Sequence, residues 1–288
     1  MKIPRFWSRG TAEGKTLRGR DAAFSCWRSS DTSEADARVT AMMAARRVLD
    51  AFISGHEPNR YEYGCVPLRE EVMNKTEDEQ GNTVAVVTRN RYGSLVLNAE
   101  RAMFVDIDFP PVATGETTKH LLGRLLGRAK ASPEAQREDA ARAAVERFMA
   151  DKPEWNIRLY RTFAGLRGLA THDLFDPKSD TALDMLRRLG SDPLYVRLCQ
   201  AQECFRARLT PKPWRCGHHA NTLPYPIEDG KAAQRFEQWK GKYDACQRNY
   251  ATCRFLGNVG NGRVHPEVGQ VVELHDRMTR CNEPLALA

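Results

Sequence analysis

The chain has 8 cysteines but no CxxC pair, no internal repeat and no low-complexity tract. It also lacks an apolar run near the roughly 20 residues that cross a bilayer. Scattered thiols (Cys26, Cys65, Cys199, Cys204, Cys216, Cys246, Cys253 and Cys281) in a chain of 288 residues fit reduced cysteines better than a disulfide framework. The missing apolar run leaves no membrane span to expect. The first residues, Met1-Lys2-Ile3-Pro4-Arg5-Phe6-Trp7, contain no apolar h-region, so the expected location is cytoplasmic. Acid is not in excess either: 44 Lys and Arg against 37 Asp and Glu leave a net charge of +7. That surplus permits a polyanionic partner without demanding one. It concentrates in Arg5 to Arg28 and in Arg197 to Arg215. The length and ordinary apolar content allow a core of normal size, in one large domain or two small ones.

Read along the chain, residues 1–21 are basic and rich in Gly and Ser, and are expected to form a loose arm. A short strand is expected over Ala22–Trp27. Ser33 then reads as the N-cap of a helix from Glu34 to about Ser54, with Val39, Met42, Met43, Leu49 and Phe52 as its apolar stripe. Thr83–Thr88 and Ser94–Asn98 read as strands joined across Asn90-Arg91-Tyr92-Gly93. A strand at 102–109 follows, then helices over His120–Ala129 and from Ser132-Pro133 to about Ala150. Asn156–Thr162 and Gly168–His172 read as a strand pair turning at Gly165. A helix over Asp180–Leu189 and a strand over Cys204–Thr210 complete a core at 22–215. Residues 216–288 are expected to be a helical extension. Its helices are a long one over Asp229–Leu256, carrying Phe236, Trp239 and Tyr243, and a last one from His265. Mixed helices with short hairpins predict an α+β fold.

The most informative stretch is Phe104-Val105-Asp106-Ile107-Asp108-Phe109-Pro110-Pro111. In a strand, residues two apart share a face, so Asp106 and Asp108 project together about 7 Å apart. Val105, Ile107 and Phe109 fill the other face. Two adjacent carboxylates repel each other unless something cationic sits between them. A divalent ion with a taste for hard oxygen ligands, Mg²⁺ or Mn²⁺, answers that need. The alternative is a strand end whose aspartates cap a turn before Pro110. Downstream, Tyr160-Arg161-Thr162-Phe163-Ala164-Gly165-Leu166-Arg167-Gly168-Leu169-Ala170-Thr171-His172 combines glycines that allow close backbone approach with arginines suited to phosphate. Further on, Arg206-Ala207-Arg208-Leu209-Thr210-Pro211-Lys212-Pro213-Trp214-Arg215 alternates basic and apolar residues. Either a half-exposed edge strand or a nucleotide-contacting strand has that pattern, and Trp214 is available to stack on a base.

This order of motifs, over residues 102–213, resembles the archaeo-eukaryotic primase-polymerase superfamily. Phe104-Val105-Asp106-Ile107-Asp108 matches its hhhDhD strand, and Ala170-Thr171-His172 matches its small-x-His motif. Gly165-Leu166-Arg167-Gly168 is similar to the basic glycine turn that precedes that histidine in bacterial members. The resemblance implies an RRM-like catalytic core with flanking helices. It implies metal-dependent nucleotidyl transfer from nucleoside triphosphates on a DNA or RNA template, in a replication or repair setting. Asp192 would supply the third metal carboxylate, with Glu203 and Glu273 as competitors. His172, Arg161, Arg167, Arg206, Arg208 and Lys212 would contact the nucleotide. A helicase or other replication partner would be a separate chain.

Other readings stay open on the residues alone. The chain could be a nucleic-acid-binding module that kept such a core without turnover. It could also be a nuclease or glycosyltransferase using the same DxD metal site. Cys199, Cys204, Cys216, His218 and His219 suggest zinc, though their spacing fits none of the common templates. Arg161 and Arg167 could be solvated hairpin residues, and His172 could be a strand-end histidine bonded to backbone.

Overall fold

The computed structural model describes residues 1–16, 19–56, 67–110, 132–227 and 229–288. The fold is mixed α+β, with six α-helices and twelve strands among the described residues. Among them no helix is long and apolar enough to cross a membrane. The helix expected over His120–Ala129 lies outside the described residues.

The N-terminal residues are not a loose arm. β1 (Phe6–Lys15) pairs antiparallel with β2 (Asp21–Ser30), and α1 (Glu34–Ile53) packs on the hairpin. Ser33 caps α1 by accepting from the Asp36 amide. The buried stripe of α1 is Ala37, Ala41, Ala44, Ala45 and Leu49, whereas Val39, Met42 and Met43 are exposed. The reason is proximity. A Cβ at Gly10 would lie 2.2 Å from the Met42 amide nitrogen, so only small residues fit where the helix rests on the hairpin.

A four-stranded antiparallel sheet has the order β3-β4-β5-β9, built from β3 (Glu71–Glu77), β4 (Thr83–Arg89), β5 (Leu95–Ala99) and β9 (Phe205–Arg208). The expected strand pair across residues 90–93 is β4 and β5, while β3 falls in a region that reads as turns. The second four-stranded sheet carries the DxD strand. Its order is β11-β7-β8-β6, from β6 (Phe104–Asp108), β7 (Asn156–Thr162), β8 (Gly165–Ala170) and β11 (Cys253–Gly260). β6 connects to β7 through α2 (Pro133–Met149), which Ser132 caps. β8 inserts between the two, antiparallel to both, so β6 and β7 run parallel in a split β-α-β arrangement.

β8 begins at Gly165 rather than at Gly168, and the chain turns at Phe163-Ala164. Gly165 is needed there because a Cβ on it would sit 2.0 Å from the Ile107 carbonyl oxygen. After β8 come α3 (Asp180–Arg188) and α4 (Pro193–Gln202). α4 is an element that the Gly-Ser-Asp-Pro breaker concealed, since Asp192 and Pro193 are its N-cap and first turn.

The C-terminal part is not an all-helical extension. α5 (Gly230–Gln247) stops nine residues short of the expected helix end at Leu256, and β11 joins the edge of the DxD sheet against β7. α6 (Pro266–Thr279) adds Val268, Val271 and Leu274 to the main core, beside Phe104, Leu159, Leu166 and Leu169. The boundary at 215 therefore divides a shared core. β10 (Tyr250–Ala251) and β12 (Ala286–Leu287) form a short parallel pair.

Gly165→Ala is expected to destabilise the fold by about 2 kcal/mol or more, because backbone must move. Gly241→Ala, mid-α5 with open space around it, is expected to stabilise by up to about 1 kcal/mol. Urea unfolding midpoints at unchanged slope check both.

Candidate functional site

Asp106 and Asp108 share one face of β6, with Arg167 directly across from Asp106 and Gly165 across from Asp108. Val105 and Ile107 are buried on the opposite face. β6 is the edge strand on its other side, and the α3–α4 connection covers that edge. The Asp106 amide donates to Ser191 Oγ at 3.2 Å, and the Asp192 amide donates to the Asp106 carbonyl at 2.9 Å. Tyr195 Oη donates to the Phe104 carbonyl at 2.9 Å. This docking brings Asp192 beside the DxD pair, while its own carboxylate accepts from the Tyr195 amide at 2.8 Å as a helix cap.

The electrostatics register the crowding. Burial raises the Asp108 carboxyl above its ordinary pKa, and the charges of Asp106 and then Asp192 raise it further; Lys212 and Arg215 oppose the rise. Facing the acids is a cationic group with the mirror-image problem. Burial and the neighbouring Arg167 charge push Arg208 down to about 10, while Asp106 pulls it up. Lys212 is lowered by burial, then by Arg208 and Arg215, and Arg215 is lowered by burial against the pull of Asp108 and Asp106. Among the described residues none of Arg208, Lys212 and Arg215 is within ion-pair distance of a carboxylate, and neither are Asp106 and Asp108 within ion-pair distance of a cation. The two groups feel each other across a gap.

Arg167 is held from behind. Its Nη1 donates to the Arg208 carbonyl at 2.9 Å and to His275 Nε2 at 3.0 Å. Since Nε2 accepts, Nδ1 carries the proton and donates to Asp276 Oδ1 at 2.9 Å. Asp276 also accepts from Tyr160 Oη at 2.7 Å and from Arg158 Nη2 at 2.6 Å. Burial pushes His275 down to about 4, which keeps it a neutral acceptor for the guanidinium at neutral pH. Below the cationic segment, Tyr243 Oη of α5 donates to the Pro211 carbonyl at 2.6 Å and Ser94 Oγ to the same oxygen at 2.9 Å. The aromatic face of α5 thus anchors the turn at Pro213–Arg215.

Several expected site residues lie elsewhere. Arg161 pairs in register with Leu166, on the face opposite Asp106. There it is ion-paired to Glu134 and Glu138 of α2, with its guanidinium 4.7 Å from the Phe109 ring centroid. His172 follows β8 at the end remote from Asp108. Five residues beyond Arg167, it lies on the order of 17 Å from the Asp106 level by the rise of a strand. It is buried 4.2 Å from Trp155 and 5.5 Å from Phe175, ring to ring, and burial lowers its pKa. The Arg206 guanidinium bonds both Glu70 carboxylate oxygens, at 2.8 and 2.9 Å, and the Asn98 side chain. Of the six basic or histidine positions expected at the nucleotide, the structure gathers Arg167, Arg208 and Lys212 and directs His172, Arg161 and Arg206 to packing. Arg215 joins the group without having been singled out; its place at the end of the basic alternation was its only signal.

Among the described residues no three His, Cys, Asp or Glu side chains converge as a metal centre. Asp192 is turned to its helix cap, Glu203 pairs with Lys2 and Lys178, and Glu273 is exposed on α6. The cysteines considered for zinc are divided: Cys199 is in the main core, and Cys216 packs in a separate cluster with Trp239 and Tyr243. The DxD pair still suits a Mg²⁺-class ion, which is commonly held by one or two carboxylates and completed by substrate phosphates. Scans against protein-family models, curated proteins and solved structures find no match.

The unfolded chain protonates a histidine at about 6.5, whereas folded His275 does so only near 4. Between those values the unfolded state binds more protons, so stability falls as pH drops through this window. The contribution is roughly 3 kcal/mol, fully present above the unfolded value. Melting temperature against pH checks this: His275→Gln is expected to show a shallower fall than the parent chain.

Proposed function

We propose that this chain is a metal-dependent nucleotidyltransferase of the primase-polymerase type, acting on nucleoside triphosphates with a nucleic-acid template. The observation that carries the reading is the gap between two unpaired charge groups. Asp106 and Asp108, with Asp192 beside them, are coupled electrostatically to Arg208, Lys212 and Arg215, yet no ion pair joins the two groups among the described residues. A metal–triphosphate is the ligand class that neutralises both at once: its cation meets the carboxylates and its phosphate oxygens meet the guanidinium and ammonium groups. The split β-α-β around β6, with the carboxylates on the sheet face away from α2, supports an RRM-like arrangement of the core.

In the reaction the 3′-oxygen of a growing strand bonds to the α-phosphorus of the incoming nucleotide. The bond to the pyrophosphate oxygen breaks, and the hydroxyl proton is lost to solvent or base. A divalent ion held by Asp106 and Asp108 would supply charge neutralisation and a lowered hydroxyl pKa. The protein's own part is positional and electrostatic. Arg208, Lys212 and Arg215 bind the triphosphate oxygens and stabilise negative charge on the departing pyrophosphate. Arg208, at about 10, remains cationic at neutral pH. Arg167, fixed by His275 and the Arg208 carbonyl, keeps positive charge on the strand next to Asp106. Asp192 holds the strand edge, so that Asp106 and Asp108 keep their spacing.

Extension on a single-stranded template with labelled nucleotides and Mg²⁺ or Mn²⁺ tests the reading. Product is expected, and Asp106→Asn or Asp108→Asn should lower its rate by about 10²-fold or more. Because the raised Asp108 carboxyl is disfavoured as an anion in the fold, Asp108→Asn should melt no lower than the parent at neutral pH. Well-folded parent chain that makes no product with either metal would overturn the proposal.

A further inference from the structure

Three large aromatic side chains stand half-exposed around the site: Tyr92 at 46%, Phe163 at 48% and Trp214 at 49%. They come from three unrelated turns. Tyr92 sits between β4 and β5, Phe163 between β7 and β8, and Trp214 in the turn after β9. Each has a cation against it. The Arg215 guanidinium lies 4.3 Å from the Phe163 ring centroid, Lys212 Nζ lies 5.7 Å from that of Trp214, and Arg91 lies 5.9 Å from that of Tyr92. Trp214 and Tyr92 meet edge to face at 5.4 Å. The result is one continuous band. It starts at Asp108, beside Phe163 and Arg215, and passes Lys212, Trp214 and Tyr92 to Arg91.

Beyond Arg91 the band opens into a cavity of about 310 Å³, whose lining includes Arg89, Arg91, Tyr225 and Phe236. The Tyr92 carbonyl, accepting from the Asn221 amide at 3.0 Å, ties the band to the wall of that cavity. Arg89 there is paired with Glu71. Arg91, Lys212 and Arg215, in contrast, have no ion-pair partner among the described residues. Exposed rings alternating with unpaired cations match two features of one ligand class, a base with a flat face and a phosphate with a negative charge.

We propose that this band is the path of a single-stranded nucleic acid, leading from the cavity at Arg91 and Tyr225 across Tyr92 and Trp214 to the carboxylates. The inference rests on the nucleotidyltransferase reading for what happens at the carboxylate end, and on the band alone for binding. Base–aromatic stacking tolerates any sequence, as a template path requires; Arg91 offers its charge to the strand's backbone, while Lys212 and Arg215, at the carboxylate end, meet the triphosphate. A duplex does not satisfy the band, because its base faces are already stacked on one another. An anionic membrane surface would use the cations and rings differently, and is distinguished by experiment.

Fluorescence anisotropy of the full chain with labelled oligonucleotides of about 12 nucleotides, oligo-dT and oligo-rU in parallel, tests the proposal without metal or turnover. Binding of either strand is expected, and the tighter of the two identifies the natural one. Tyr92→Ala and Trp214→Ala should each weaken binding by about five-fold or more, with Trp214→Phe restoring most of it. Arg91→Gln should reduce the slope of log affinity against log salt by about 0.7. Met42→Ala, exposed on α1 outside the band, should change nothing. Variants that bind like the parent, duplex that competes as well as single strand, or capture by anionic vesicles without oligonucleotide binding would each overturn the proposal. Asp106→Asn/Asp108→Asn separates it from the transfer reading. Band-dependent binding with no synthesis by the parent chain leaves the path standing and removes the polymerase. Synthesis with binding indifferent to Tyr92 and Trp214 does the reverse.

Discussion

Like-charge confinement at the edge of one sheet is the constraint on which the rest of the site depends. Asp106 and Asp108 are fixed on one face of β6 by the period of the strand, and Asp192 is drawn beside them by a backbone bond to β6. Nothing in the described protein pairs with the first two. Arg208, Lys212 and Arg215 are likewise held together against their own repulsion. A fold selected for stability alone would close these charges onto one another as direct ion pairs. This one closes such pairs elsewhere, at Arg206–Glu70, Arg158–Asp276 and Arg161–Glu138, and leaves the central ones apart.

Much of the surrounding architecture serves to hold that separation. Gly165 lets β8 lie close to the Ile107 carbonyl, so the turn carrying Phe163 sits at the Asp108 end of β6. Ser191, Asp192 and Tyr195 clamp the outer edge of β6 through three hydrogen bonds to its backbone. The Asp276–His275 couple holds Arg167 from the far side, with a neutral imidazole serving as acceptor. Tyr243 and Ser94 fix Pro211 and hence the turn that carries Lys212 and Arg215. The C-terminal helices are therefore part of the site's foundation, α6 through His275 and α5 through Tyr243.

The elements legible in the sequence were those with strong local signals. The caps Ser33 and Ser132, the apolar runs of β4 and β5 around the turn at 90–93, the strand at Asn156–Thr162 and the Val105/Ile107 versus Asp106/Asp108 alternation all fold as their patterns say. What failed needed tertiary information. β11 follows a polar helix, and its register shifts between Phe255 and Gly257, which blurs the alternation that marks a strand. α1 buries alanines because Gly10 admits it so closely, a fact about the hairpin and not about the helix. Placing the β7–β8 turn at Gly165 also hid a parity: with the turn at Phe163-Ala164, Arg161 and Arg167 fall on opposite faces, and His172 falls at the wrong end for the carboxylates. Motif order names residues, but only strand register says which of them meet.

The measurement that tests the central claim most directly is equilibrium binding of a nucleoside triphosphate with and without a divalent ion, read by calorimetry on the unmodified chain. If the gap between the carboxylates and the cations is built for a metal–triphosphate, the ion should tighten binding by at least about ten-fold, or 1.4 kcal/mol, and Asp106→Asn/Asp108→Asn should erase the difference. Equal affinity with and without the ion, unchanged by those substitutions, would contradict it.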